Sequence, residues 1–125
     1  MKLLILSLML VAFGCNASKT NTADTAPEGS KVVVDSLPVC VKVLIEKMKS
    51  EAVTNPSRKI YRYIYLGKKV FYVPAFCCDN FSDLYNDSCR LMGHPDGGIT
   101  GRGDGKIKDF NTATEEKLLW ADSRK

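Results

Sequence analysis

The chain has 125 residues, 45% of them hydrophobic and 26% charged, with 18 Lys and Arg against 14 Asp and Glu. That length holds one small domain, and a formal charge of +4 is too weak a bias to argue for a nucleic-acid surface. Neither Gly-x-x-x-x-Gly-Lys-Ser/Thr nor Gly-x-Ser-x-Gly occurs, which sets aside P-loop and nucleophile-elbow chemistry.

The chain opens on Lys2 and an almost unbroken apolar run from Leu3 to Phe13, followed by Gly14 and Cys15. About eleven apolar residues are too few to span a bilayer permanently but suit the core of a signal peptide. Gly14-Cys15 resembles the lipobox of bacterial lipoproteins, with Phe13 standing where that box usually has a small residue. The reading is therefore a signal peptide over residues 1–14 and acyl chains, palmitate among them, on Cys15. Several acyl chains anchor a protein stably where one does not. Residues 15–35 read as the lipidated cysteine and a flexible tether, because Asn16–Lys31 is polar and too poor in apolar side chains to order itself. About twenty such residues reach roughly 25 Å. Asp24 is the only acid in Asn16–Asp24, so no acidic surface-display signal is evident. The expected location is the outer membrane of a bacterial cell envelope, on the periplasmic side.

Val41, Leu44, Ile45, Met48 and Ala52 recur at helical spacing and predict an amphipathic helix over Leu37–Ala52. Asp35 or Ser36 can cap it, with Pro38 tolerated in its first turn, and Asn55-Pro56-Ser57 breaks it. Lys59–Tyr65 is dense in β-branched and aromatic residues and reads as a strand. Leu66–Lys69 is a turn, and Val70–Val73 is the returning strand, ended by Pro74. Tyr61, Tyr63 and Tyr65 share one face, where cross-strand packing is a better account than carbohydrate stacking. Arg58, Lys59, Arg62, Lys68 and Lys69 cluster with no acid among residues 57–78, which reads as a solvated hairpin face. Beyond Cys78 the chain turns to aspartate and glycine, and Lys117–Trp120 is a short closing strand with Trp120 over the core.

With Cys15 committed to lipid, Cys40, Cys77, Cys78 and Cys89 remain. In an exported domain this small they read as two disulfides. A Cys77–Cys78 bond is the least favoured pairing, since neighbours on a strand point to opposite faces. Either of the other pairings ties one cysteine of the pair to Cys40 and the other to Cys89.

The stretch from Asp79 to Asp109 combines aspartates with repeated glycines, the parts from which calcium sites are made. An EF-hand is excluded, because Lys106, Lys108 and Asp109 occupy ligand and glycine places of the register that starts at Asp104. A different site using Asp96 and Asp104 stays open beside plain turn chemistry. Arg102-Gly103-Asp104 is the integrin-type tripeptide, too short to argue adhesion. His94 is the only imidazole, and Asp96 or Asp87 are candidates to orient it as a general base.

Tyr63-Ile64-Tyr65-Leu66-Gly67, Val70–Pro74, Cys77-Cys78-Asp79, Leu84-Tyr85 and Pro95–Gly105 together resemble a family of small Bacteroidetes-type lipoproteins of unknown function. The likeness runs from about Leu37 to Arg124. It implies fold and location and brings no catalytic or ligand residues. Members often carry two further cysteines, at the places held here by Gly93 and Ile107, and the resemblance implies that these pair in relatives.

The expectation is an α+β domain over residues 36–125: one N-terminal helix packed on a small antiparallel sheet, stapled by disulfides, with a long Gly/Asp-rich loop. Its expected role is a monomeric, non-enzymatic binding module for a protein or glycan. No cofactor is expected unless calcium organises the loop. A hydrolase (protease) inhibitor-like domain and an enzyme using His94 are the alternatives.

Overall fold

The computed structural model describes residues 36–125, so the signal peptide predicted over 1–14, Cys15 and the tether to residue 35 lie outside the described residues. The helix forms where the apolar spacing requires it, as α1 over Val39–Ser50, burying Cys40, Val41, Leu44, Ile45 and Met48. Its start differs from the sequence expectation. Pro38, with φ fixed at −54°, takes the N-cap position without a side-chain cap, and its carbonyl accepts the Lys42 N–H at 3.1 Å. A proline there gives up no hydrogen bond, because the first N–H groups of a helix lack partners anyway. Lys47 and Lys49 stand in the last turn, where cations complement the helix dipole.

Five strands follow: β1 Lys59–Tyr65, β2 Lys68–Val73, β3 Asp83–Asn86, β4 Leu91–Gly93 and β5 Thr114–Ala121. They form one antiparallel sheet in the order β4-β3-β2-β1-β5, so the fold is α+β. The β1–β2 connection is tighter than the four residues expected, with only Leu66 and Gly67 between Tyr65 and its partner Lys68. Both have positive φ, 49° and 72°, the signature of a type I′ turn. β3 and β4 lie inside the stretch read from sequence as irregular. They are short, and Asp83, Asn86 and Gly93 dilute their apolar alternation.

The alternation of side chains gives the sheet two covered faces. On one, Ile60, Phe71 and Val73 pack against the apolar stripe of α1, with Leu119 and Trp120 completing the core. On the other, Tyr65, Val70 and Leu84, with Tyr63 and Tyr72, lie under Ile107, Phe110 and Ala113. The layers are therefore helix, sheet and loop.

Two fastenings fix the direction of α1. Cys40, in its first turn, is bonded to Cys89 in the β3–β4 turn. At the other end the Arg124 guanidinium, just past β5, donates to the carbonyls of Met48 (3.0 Å) and Lys49 (2.8 Å) and is itself held by Asp122 at 2.7 Å. The helix thus starts at the end of the sheet that carries the β1–β2 and β3–β4 turns and finishes at the opposite end.

The second bond joins Cys77 to Cys78, the pairing ranked last from sequence. Of the two grounds against this pairing, a strained eight-membered ring and opposite-facing neighbours, the second requires a strand. β2 ends at Val73, and Cys78 has φ +50° in a turn, so strand alternation does not govern these two side chains. The basic residues also separate. Arg58 pairs with Glu51 (2.6 Å) and Arg62 with Glu115 (3.5 Å), while Lys68 and Lys69 stand exposed at the hairpin end.

Candidate functional site

The loop from His94 to Asp109 is held down by hydroxyl groups of the tyrosine face. Tyr65 donates to the Lys108 carbonyl at 2.5 Å, and Tyr72 donates to Asp96 Oδ2 at 2.8 Å. Tyr63 donates to Glu116 at the start of β5. Phe110 fills the space between these rings, with centroids 5.3 Å from both Tyr63 and Tyr72 and 5.7 Å from Tyr65. The aromatic stripe is packing, as expected, and it also anchors the loop. Burial, opposed by the Ser82 hydrogen bond and reinforced by Asp96, pushes the Tyr72 phenol up to about 12.

Within the loop the backbone closes on itself. Gly103 N–H donates to Gly97 O at 3.2 Å, Asp104 N–H to His94 O at 3.0 Å, and Ser82 N–H to Asp96 O at 3.2 Å. Gly103 has φ +68°, and a β-carbon there would lie 1.9 Å from the His94 carbonyl oxygen. Only glycine permits that approach. Gly93 and Ile107 are also neighbours, since a β-carbon on Gly93 would lie 3.2 Å from Ile107 Cγ1. These are the two places where the resemblance implied a bridge in relatives.

The carboxylates considered for calcium have protein partners. Asp96 accepts from Tyr72, and Asp104 Oδ1 accepts the Lys106 N–H at 3.0 Å. That backbone donor, more than any other influence, holds the Asp104 carboxyl below the ordinary carboxylate range. Asp104 Oδ2 is buried without a hydrogen-bond partner, with Lys106 Nζ at 3.5 Å. Among the described residues no three His, Cys, Asp or Glu side chains gather into a group able to hold a metal.

His94 is oriented by Asp83, a residue the sequence reading passed over in favour of Asp96 and Asp87. Its Nδ1 lies 2.9 Å from Asp83 Oδ1 and 3.2 Å from the Ser82 carbonyl, and its ring stacks on Phe81 at 4.9 Å. Both acceptors face one nitrogen, so Nδ1 is the donor to Asp83 and Ser82. Asp83 Oδ2 also accepts from Tyr85 at 3.1 Å, and burial followed by the Asp83 charge pushes the Tyr85 phenol up to about 12. The neighbouring Ser82 hydroxyl is only 2% exposed and serves the scaffold, accepting from Ala75 N–H at 2.9 Å and bonding Tyr72 at 3.1 Å. The available signal for these residues was the alternation of Ser82 and Leu84 against Asp83 and Tyr85, which marks a short strand with two different faces.

The loop's exposed side chains are mostly polar, Thr100, Arg102, Lys106, Lys108 and Asp109 among them, and Ile99 is the apolar exception. Ile99 is 88% exposed and Phe81 45%. With Asp79, Gly98, Thr100 and Gly103 they line a shallow concavity of about 400 Å³. Arg102 is exposed beside it.

A family model described as a domain of unknown function (DUF6970) matches residues 46–122, more than half of the chain, so the protein belongs to that family. No curated protein and no solved structure matches it.

Proposed function

We propose that this member of the family is an exported, lipid-anchored binding module, and that its recognition surface is the Phe81–Ile99 concavity on the glycine-rich loop. One observation carries the reading. A loop fastened by two tyrosine hydroxyls and by its own backbone bonds holds Ile99 almost fully in solvent. An isoleucine contributes nothing to the fold from there, and a pre-organised apolar residue in a shallow cleft loses little entropy when a partner covers it. The export and anchor part of the proposal rests on the sequence of residues 1–15.

The test is site-specific photo-crosslinking in cells that express the full chain, with the probe at Ile99 and, as control, at Lys117 on β5. A discrete adduct from position 99 that is absent from position 117, and that Phe81→Asp removes, supports the surface. Equal patterns from both positions overturn it. A hydrolase in that adduct would make the module inhibitor-like.

A calcium-organised loop is the second reading, favoured by the buried Asp104 Oδ2, which accepts no hydrogen bond and has only Lys106 Nζ at 3.5 Å. Calcium would have to draw Asp96 from Tyr72, and calorimetric titration of the full chain against an Asp96→Asn/Asp104→Asn variant decides it.

A further inference from the structure

Three features converge on the end of the sheet where α1 begins. The first is Leu66. Type I′ turns favour asparagine, aspartate or glycine at their first central position, because that residue needs φ > 0. Leucine is disfavoured there by the approach of its β-carbon to the backbone, and burial does not offset the strain, since Leu66 is 79% exposed at φ 49°. A residue that breaks a local rule without a compensating contact in the fold points to a contact outside it.

The second is charge. Lys68 and Lys69 follow the Leu66-Gly67 turn, and with Leu66, Met92, Asn86 and Asp87 they line a cleft of about 300 Å³. Arg90 in the β3–β4 turn and Lys108, whose carbonyl is held by Tyr65, are exposed at the same end. Besides Glu115, which is paired with Arg62, the acids there are Asp87, Asp109 and Glu116, the last bonded by Tyr63, so Lys68, Lys69, Arg90 and Lys108 outnumber them by one. The third is where the chain enters. Residues 1–35 precede the described part, and the Cys40–Cys89 bond fixes the start of α1 beside the β3–β4 turn, at this same end. Val39, at the entry, is 78% exposed.

We infer that this end is a membrane-contact surface, in which Leu66 enters the headgroup layer of an anionic bilayer and Lys68, Lys69 and Arg90 meet its negative charge. The inference rests on the lipid-anchor reading. A tether of about twenty residues keeps the domain at high effective concentration over the bilayer, so a few basic side chains and one aliphatic tip suffice. The Phe81–Ile99 concavity belongs to the region around Cys77–Cys78 and the end of β2, remote along the strands from the β1–β2 turn, and stays open to a partner while the other end is docked.

The test uses the full chain made in a bacterial host and extracted from its membranes. Intact mass comes first. Acyl groups on a chain that begins at Cys15 support the anchor; their absence overturns the anchor reading and removes the basis of this inference. The acylated protein is then placed in vesicles of phosphatidylcholine alone or with about 30% phosphatidylglycerol, and hydrogen exchange is read on peptides covering residues 65–70 and 86–91. Exchange at least threefold slower in the anionic vesicles, with no change over residues 97–103, is the expected result. Equal rates in the two vesicles, on a protein whose mass shows the anchor, overturn the docking alone. Leu66→Asn and Lys68→Glu/Lys69→Glu are the companion variants. The first suits the turn better, so it should melt no lower than the parent while losing at least half of the added protection. The second should abolish it. Protection unchanged in both variants overturns the assignment of these residues.

Discussion

The Tyr72 phenol donates to Asp96 Oδ2 across 2.8 Å, joining the middle of the sheet to a loop 24 residues further along the chain. The same hydroxyl is bonded to Ser82, whose backbone N–H meets the Asp96 carbonyl. Side chain and main chain therefore hold one point of the loop from two directions.

Removing that hydroxyl tests the fastening. Tyr72→Phe keeps the ring packed on Phe110 but leaves the Asp96 carboxylate and Ser82 short of a partner, at a cost of about 1–2 kcal/mol. Urea unfolding measures the loss. Hydrogen exchange across residues 94–104 should quicken more than exchange in α1.

Alkali should loosen the same region. Tyr72 and Tyr85 are pushed up to about 12, whereas unfolded phenols titrate near about 10. Above pH 10 the unfolded chain has released protons that the folded chain keeps, so stability falls as pH rises through that window. Below pH 10 both states hold the protons and the contribution is complete. A melting temperature that declines between about pH 10 and 12, less steeply in Tyr72→Phe, is the expected outcome. At the acid end the sign reverses. Asp104 and Asp122 sit below the ordinary carboxylate range, so their contribution is present above that range and is lost on acidification through it.

Gly103 and Gly101 have nearly the same φ, +68° and +69°, yet substitution should affect them differently. An added β-carbon at Gly101 meets nothing within 4 Å, whereas at Gly103 it collides with the His94 carbonyl. Gly101→Ala carries only the left-handed backbone cost, about 1 kcal/mol. Gly103→Ala adds a displaced backbone and the loss of the Asp104–His94 hydrogen bond, about 3 kcal/mol in total. Paired thermal melts of the two variants check the difference.

The two disulfides should contribute unequally. Cys40–Cys89 closes a separation of 49 residues, worth about 4 kcal/mol in the chain-entropy treatment, while Cys77–Cys78 closes a separation of 1 and constrains the unfolded chain very little. A Cys40→Ser/Cys89→Ser variant should therefore unfold at much lower urea than Cys77→Ser/Cys78→Ser. Mild reduction followed by thiol alkylation should label the exposed Cys77 and Cys78 before Cys40, which is 3% exposed.

Arg124→Ala should lower the melting temperature by roughly 5 °C, because it strips partners from the last carbonyls of α1 and from the buried Asp122. Lysine at 124 should recover only part of that, since it lacks the guanidinium fork.

These variants fall on both sides of what sequence could resolve. Helix α1, strand β1 and the tyrosine face were legible because their periodicities are long and strongly apolar. β3 and β4 were not: a four-residue strand that starts on Asp83 and a three-residue strand that ends on Gly93 leave too few alternations to count. The His94–Asp83 pair follows from the register of those same strands, so missing them meant choosing the wrong carboxylate. Arg124 was missed for a different reason. Its partners are main-chain carbonyls 73 to 76 residues away, and a carbonyl carries no signature in sequence. Ile99 was present in plain view among glycines, but its exposure depends on how the loop folds back over the sheet.

The bond from Cys40 to Cys89 also sets where mechanical load travels. A pull on the chain ahead of Ser36 reaches Cys40 in the first turn of α1 and crosses the sulfurs into the β3–β4 turn. The rest of the helix is shielded from that tension while the bond is intact. Reduction of this bond would route the same force along α1 to the Arg124 fastening at its far end.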